Sequence, residues 1–396
     1  MSHSLENNIV LYRKYRPQNF SEIIGQQHIV QTLTNSLNSN SISHAYLFSG
    51  PKGSGKTTIA RIFAKAINCL SRQNRISNTQ HFTRLNFTDK NLGGQAPNYE
   101  PCNKCDSCLE IVSSKSLDLT EIDAASHTSV DHVRELIEGI KFAPVKSKYK
   151  IFIIDECHQL SKSAANALLK TLEEPPSHAI FMLATTEAHK MIPTIISRCQ
   201  RFDFKRLQIS EIIKKLEFIM KKEGIKFEPS VLTLIALNAR GSFRDAESLL
   251  DKCINFTGQD NLITAKEVKE ILGIVEMNQI SPLIDFIVRQ DTKEAILFIN
   301  SIIDSGVDLQ EFVKTLIFYL RQILLLKINP SFLSTQNSGF SEEEIEKMKE
   351  QTEKLSEKDI QKMLELFIDA ENKMKYSSIL QLPLELAVVD ITYKEL

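Results

Sequence analysis

Tryptophan is absent from the 396 residues, and neither sign of charge is in real excess: 48 Lys and Arg stand against 49 Asp and Glu, a formal net charge of −1. A protein that grips nucleic acid over its whole surface is usually basic. Any nucleic-acid contact here is therefore confined to a local patch or to a role inside a larger assembly. Long apolar runs are missing too. The longest, such as "IFII" and "QILLLKI", are far too short to span a bilayer. The start, "MSHSLENNIVLYRKYRP", lacks the apolar stretch of a signal peptide. These absences point to a cytosolic chain with no membrane partner, in a compartment where disulfides are rare. What is present suits a soluble protein of two or three domains: 42% hydrophobic and 24% charged residues leave core building unimpaired.

Three regions follow from the apolar pattern. Residues 1–207 alternate short apolar runs with helical periodicity: "HAYLFSG", a helix from Lys56, then "LTEID", "KIFIID" and "AIFMLATT". Short buried strands separated by helices predict a parallel α/β sheet. Residues 70–101 interrupt this rhythm with a polar segment that reads as a mobile surface loop. Residues 208–275 are helical; "SVLTLIALNARGSFRDAESLLDKCI" carries apolar residues three and four apart. Residues 276–396 are helical throughout, with Leu309, Phe312, Val313, Leu316, Ile317 and Leu320 on one face. No internal repeat is visible. The run "SEEEIEKMKEQTEKLSEKD" reads as a solvated helical face or a linker.

The stretch "GPKGSGKTT", comprising Gly50, Pro51, Lys52, Gly53, Ser54, Gly55, Lys56, Thr57 and Thr58, fits the phosphate-loop pattern G-x-x-x-x-G-K-[ST]. It follows the apolar "AYLF" and precedes a helical period, the strand–loop–helix context the motif needs. Glycines let backbone N–H groups curl around an anion, and the helix N-terminus adds positive potential. Lys56 is placed to reach the β- and γ-phosphates of a nucleotide, and Thr57 to ligate Mg²⁺. "KIFIIDECHQL" supplies four apolar residues and then Asp155 and Glu156. Asp155 can hold Mg²⁺ directly or through water, and Glu156 can orient or deprotonate an attacking water. His158 reads as structural. Arg198 and Arg244, taken alone, read as surface or ion-paired residues. The cluster "CNKCDSC" at Cys102–Cys108, in a chain read as cytosolic, points to metal binding.

Six stretches together carry a family resemblance: "KYRPQNFSEIIGQQHI", "HAYLFSGPKGSGKTTIARIFAKAINC", "LTEIDAASHTSVDHVRELIE", "IFIIDECHQLSKSAANALLKTLEEPP", "FMLATTEAHKMIPTIISRCQRFDF" and "GSFRDAESLLD". From Tyr15 to about Leu250 the chain resembles the AAA+ ATPases of the clamp-loader group, and more narrowly the gamma/tau subunits of bacterial DNA polymerase III. The phosphate loop alone would name only a superfamily. The "SRC" triplet and "LLKTLEEPP" narrow it to clamp loaders, and the cysteines narrow it further. The resemblance implies an α/β P-loop AAA+ domain with a zinc-binding insertion (about 69–110), then a small helical lid domain and an all-α collar domain that joins subunits in a ring.

At matching positions the resemblance implies roles. Tyr15, Arg16 and Pro17 line the adenine pocket. Thr186 is the sensor near the γ-phosphate, and Arg244 contacts that phosphate within its own subunit. Arg198 is an arginine finger that acts in trans on a neighbour's ATP, which implies a weak ATPase in the lone chain. Ser161 or Ser163 can cap the helix "SKSAANALLKTLEEPP", whose Leu168, Leu169 and Leu172 share a face and which Pro175 and Pro176 end. Zinc ligands in the family include a cysteine at the end of the P-loop helix, which here is Cys69, followed by Cys102, Cys105 and Cys108. The 32 residues Leu70–Pro101 between the first and second exceed the family's gap. Closure entropy grows only logarithmically with such a length. A three-cysteine site completed by another ligand, for example His81, stays open beside the four-cysteine one.

ATP, Mg²⁺ and structural Zn²⁺ are the implied cofactors. The implied partners are other copies of the chain, the delta and delta-prime subunits, the beta sliding clamp and the backbone of primer–template DNA. Thr128, Arg134 and Lys162 are DNA-contact candidates, or ordinary helix surface. The implied activity is ATP hydrolysis that opens and loads the clamp within the DNA polymerase III holoenzyme, in the bacterial cytoplasm at the nucleoid. Because the chain stops at Leu396, after what reads as the end of the collar, no direct polymerase or helicase tether is expected. Two other classes compete: a different AAA+ remodeller such as a branch-migration motor, which leaves the cysteines and "SRC" unexplained, and a nucleotide-binding scaffold, against which the Asp155–Glu156 pair argues.

Overall fold

The strands Ala45–Ser49 (β1), Leu119–Asp123 (β2), Lys150–Asp155 (β3), Ala179–Thr185 (β4) and Gln200–Asp203 (β5) form one parallel sheet in the order β2-β3-β4-β1-β5. The computed structural model describes residues 9–73, 99–126, 130–257, 262–273, 275, 277–329 and 342–393. All of β1 and β4 is buried, as continuous apolar runs between two helical layers require. Side chains alternate across the pleat. Tyr46 and Phe48 face a core shared with Gln27–Asn38 (α1) and Lys56–Ile67 (α2), while Ala45 and Leu47 face a second core with Val130–Ile140 (α3) and Lys162–Glu173 (α4). β5, a strand with only Phe202 buried, was not anticipated from its short and polar run. Ser161 is the residue that caps α4, accepting from the Ala164 N–H at 3.2 Å, and the helix stops ahead of Pro175. Leu168 and Leu172 are buried, and Leu169 packs on the same core.

Contacts divide the chain into two compact units, Met1–Thr264 and Ala265–Leu396. The first unit ends in three helices, Ile209–Glu223 (α5), Pro229–Asn238 (α6) and Phe243–Thr257 (α7). Arg240 and Gly241, both at positive φ, break the periodic run between the last two. The helix Ala265–Leu272 (α8) falls in the second unit, ahead of the boundary expected after residue 275, because Val275 already joins that unit's core. The polar loop expected at 70–101 lies for the most part outside the described residues, as does Thr128.

The second unit is helical. Leu309–Ile328 (α9) runs through its core, burying Phe312, Val313, Leu316 and Leu320, with Ile317 at the margin. The charged run "SEEEIEKMKEQTEK" contains the helix Glu342–Lys354 (α10). It is no linker: Met348 and Gln351 lie three apart and are fully buried, while its charges face outward. Gln351 accepts from the Tyr319 hydroxyl at 2.6 Å and donates to Ser281 O and Oγ at 3.0 Å and to Asp285 Oδ1 at 2.7 Å. Truncating it strands these buried partners. Gln351→Ala is expected to cost the second unit about 2–4 kcal/mol, read as a lower urea midpoint, with Gln351→Glu also destabilising because it replaces the amide donor.

Candidate functional site: a nucleotide cleft and a cysteine cluster

In an open parallel sheet, ligands bind beyond the carboxyl ends of the strands. Here the ends of three adjacent strands carry the polar groups. β1 runs into Gly50–Gly55, β3 ends in Asp155, and Thr186 follows β4. Gly50 sits at φ +146, with Phe204 O 2.6 Å from where a Cβ would be, and Gly53 at φ +74, where a Cβ would collide with Ser242 Oγ. Only glycine lets the loop turn there and the residues leading into α7 press against it. The Phe243 N–H donates to Gly53 O at 3.2 Å, so the N-terminus of α7 is fastened to the loop.

A cleft of about 740 Å³ opens at this point, lined by Lys52–Thr58, Asp155, Glu156 and Arg244, and on its other side by Arg16, Pro17, Ile23 and Ile24. Lys56 Nζ donates to the carbonyls of Gly50 and Pro51, both at 2.9 Å, and burial pulls its pKa down, Asp155 and Glu156 opposing. A phosphate would supply the anion that this buried ammonium lacks. Thr57 Oγ1 donates to Asp155 Oδ2 at 2.7 Å, which puts a hydroxyl and a carboxylate side by side, the oxygen donors Mg²⁺ prefers. Glu156 adopts φ +46, a conformation uncommon for a residue with a Cβ and concentrated at functional sites. Its Oε2 accepts from Thr186 Oγ1 at 2.9 Å and from the Thr186 N–H at 3.3 Å. His158 is built into the same knot: Nδ1 lies 3.0 Å from Thr185 Oγ1 and 3.4 Å from Glu156 Oε2.

Not every expected residue reaches the cleft. Arg16 does, bonding Thr58 Oγ1 through Nε at 3.2 Å, and burial lowers its pKa to about 10. Tyr15 is not among the residues that line it. Its hydroxyl donates to Glu223 at 2.6 Å and its ring meets Phe218 edge-on, because the side chain turns toward α5. Tyr12, which local sequence did not single out, lines the cleft instead, beneath the Arg244 guanidinium at 5.1 Å. Arg198 stays outside its own cleft, tied to Glu173 at 2.6 Å and to Thr194 O at 2.7 Å. Lys215 and Glu247 also line the cleft and were not anticipated. Glu247 lies one turn along α7 from Arg244, a spacing that could have flagged it; nothing local marks Lys215.

The second constellation lies beyond α2. Cys69, Cys102, Cys105 and Cys108 bring their sulfurs within 4.8 Å of one another, and Cys102 and Cys108 Sγ are 3.9 Å apart. Four thiolates at a tetrahedral ion's bond length of about 2.3 Å would sit about 3.8 Å apart, so the set fits a closed metal site. N–H groups point at the sulfurs: Cys102 N–H at Cys69 Sγ (3.4 Å), and Lys104 and Cys105 N–H at Cys102 Sγ (3.5 and 3.3 Å). Such bonds offset thiolate charge. The Cys108 thiol, helped by the Cys102 and Arg72 N–H groups, holds the Cys69 thiol well below its ordinary range against its burial. All four expected cysteines are together; His81 lies outside the described residues.

Comparison with known proteins gives the lineage. Residues 263–396 match the model of DNA polymerase III subunits gamma and tau domain III, and 211–259 that of the DNA polymerase III clamp loader subunit, ATPase lid domain. Residues 25–92 and 76–208 match the DNA polymerase III delta subunit model. The DNA polymerase III subunit gamma of Buchnera aphidicola from Acyrthosiphon pisum is 36% identical over 390 residues, covering 97% of this chain and 99% of that protein. The chain belongs to the gamma/tau family of DNA polymerase III subunits. The tau subunit of Bacillus subtilis is 40% identical over 381 residues (96% of this chain, 62% of that protein), and that of Escherichia coli 38% over 324 (82% and 46%). The chain thus spans about half to two thirds of the length of these tau relatives.

The contact between loop and helix is open to test. Gly53→Ala places a Cβ on Ser242 Oγ at a left-handed φ, and is expected to lower stability by about 1–3 kcal/mol. Adding Ser242→Gly should recover the steric part, measured as the melting temperature of the double against the single variant.

Proposed function

We propose that this chain is an ATP-driven motor subunit of the DNA polymerase III clamp loader, which couples ATP binding and hydrolysis to opening the sliding clamp and loading it on primed DNA. What supports this reading is one geometrical fact in a gamma/tau family member: the phosphate loop, the Asp155–Glu156 pair and Thr186 meet at one sheet edge, while Arg198 points away from its own cleft.

On this reading the loop N–H groups and Lys56 hold the phosphates, and Lys56 exchanges the Gly50 and Pro51 carbonyls for the β- and γ-oxygens. Thr57 and Asp155 would hold Mg²⁺, which would supply charge neutralisation during phosphoryl transfer. Glu156 orients the attacking water. Thr186, bonded to Glu156, reports whether a γ-phosphate is present. Arg244, on a helix fastened to the loop, contacts the γ-phosphate in its own subunit and carries its presence to α7. Arg198 completes the site of a neighbouring copy, so turnover waits on assembly and on primed DNA.

The functional division is an AAA+ domain (1–207), a lid (208–275) and a collar (276–396), and the partners are further copies, the delta and delta-prime subunits, the beta clamp and primer–template DNA. Zn²⁺ on Cys69, Cys102, Cys105 and Cys108 is structural, since four thiolates leave no open position. Among the described residues no helix is long and apolar enough to cross a membrane. We place the chain in the bacterial cytoplasm at the replisome.

The test is steady-state ATPase of the chain alone and reconstituted with delta, delta-prime, clamp and primed DNA. A low basal rate that rises many-fold only with the full set is expected; a high rate indifferent to clamp and DNA would overturn the reading. Glu156→Gln should keep ATP binding and lose about 10²–10⁴ in turnover. Arg198→Ala should leave single-chain binding intact and lose about 10³ or more in the assembly. For the cysteines, elemental analysis should find one zinc per chain. Cys105→Ser, or chelation, should remove it and lower the melting temperature; a zinc-free chain with unchanged melting would refute the structural site.

A further inference from the structure

Glu247 and Lys215 line the nucleotide cleft and have no part in the chemistry above. Both are buried, at 5% and 8% exposure. Lys215, on α5, donates to Tyr15 O at 2.8 Å, which places its ammonium beside Arg16 and Pro17. Glu247 lies on α7, whose first residue is fastened to the phosphate loop, about 4.5 Å further along the axis than Arg244. The pair therefore lies further along α7 than Arg244 and close to the Tyr15–Pro17 segment, in a cleft whose lining also includes the apolar Ile23 and Ile24.

The Glu247 carboxylate is short of donors. Its one charged neighbour is Lys215 Nζ at 3.8 Å, beyond hydrogen-bond reach, and among the described residues it accepts no hydrogen bond. Burial pushes its carboxyl up to about 7 against the pull of Lys215. Its oxygens are not among the fully enclosed unpaired polar atoms of the described residues, so they open on the cleft, where a ligand's N–H can reach them. Lys215 has three donors; Tyr15 O takes one, and the ammonium is drawn by Glu22, which also lines the cleft, as well as by Glu247. The wall thus presents an acceptor next to a donor, facing a slot with apolar sides.

We propose that Glu247 and Lys215 read the nucleobase: the carboxylate accepts from the 6-amino group of adenine, and the ammonium donates to the adjacent ring nitrogen. Guanine turns a carbonyl oxygen toward the carboxylate where adenine offers an N–H, so the pair rejects guanine nucleotides by repulsion as well as by a lost bond. This rests on the cleft being a nucleotide site.

The experiment is equilibrium binding, on the full chain, of ATP, purine riboside triphosphate (which lacks the amino group), GTP and 2′-deoxy-ATP. The wild type should prefer ATP over purine riboside triphosphate by about 10-fold or more. Glu247→Leu, which keeps the volume and removes the acceptor, should bind the two alike, while Glu247→Gln, whose carbonyl still accepts, should retain part of the preference. Equal binding of ATP and the desamino nucleotide by the wild type overturns the proposal without any variant. So does a Glu247→Leu chain that keeps the wild-type preference. If that variant instead loses discrimination against 2′-deoxy-ATP alone, the contact is to the ribose and the base assignment is wrong. If wild type and Lys56→Ala bind ATP equally poorly, the nucleotide reading falls, and this one with it.

Discussion

β1 is held from both sides, by Tyr46 and Phe48 against α1 and α2 and by Ala45 and Leu47 against the opposite layer, and between β4 and β5 by parallel ladders. A phosphate loop is an anion cradle only when the strand before it and the helix behind it cannot move apart. With β1 and α2 packed on one core, Gly50–Gly55 must turn within a fixed gap, and its N–H groups gather at the N-terminus of α2. The same ladders set the register that brings Asp155 and Thr186 to the loop. The Gly50 N–H bonds Thr185 O at 3.1 Å, and Ala124 N–H bonds Asp155 O at 2.9 Å, so neighbouring strand ends are stitched at the level of the glycine loop.

Around that frame the polar groups satisfy one another in a way that a nucleotide would change. Lys56 rests on loop carbonyls, Thr57 on Asp155, and Glu156 on Thr186. Each of these bonds ties one polar group to another at the carboxyl end of the sheet. The lid is coupled through short contacts: α7 begins on the loop, Arg244 lies over Tyr12, and Lys215 holds the Tyr15 carbonyl. Arg198, tethered on the outer surface, makes no such contact within its own cleft.

The cysteines work differently. Their sulfurs are gathered from the end of α2 and from Cys102–Cys108, which includes the start of a short helix, and backbone N–H groups are already aimed at them. The cluster ties the residue after α2 to the segment Cys102–Cys108. Glu100 reinforces it by accepting the Phe20 and Ser21 N–H groups at 2.9 and 2.8 Å.

Patterns that depend on nearest neighbours were legible in the chain itself. The strand–glycine loop–helix order, the acidic pair at the end of "KIFII", the cysteine spacing and the helical periods all act over a few residues, and the strands β1 to β4 and the helix face of α9 lie where those periods put them. Gln351 was hidden because a charged helix conceals one inward seam, and β5 because four residues with one apolar side chain carry no period. The cleft's contents needed the tertiary structure. Tyr12 and Tyr15 are three residues apart, and only the packing of α5 and α7 decides that Tyr12 turns to the cleft and Tyr15 to Glu223. Lys215 on α5 and Glu247 on α7 have the whole of α6 between them in the chain, and their meeting is a product of helix docking that no local pattern encodes. Residue type and spacing thus determined which chemistry is available to this protein. Packing, which is non-local and set by the burial of side chains far apart in sequence, decided which of those groups face one another.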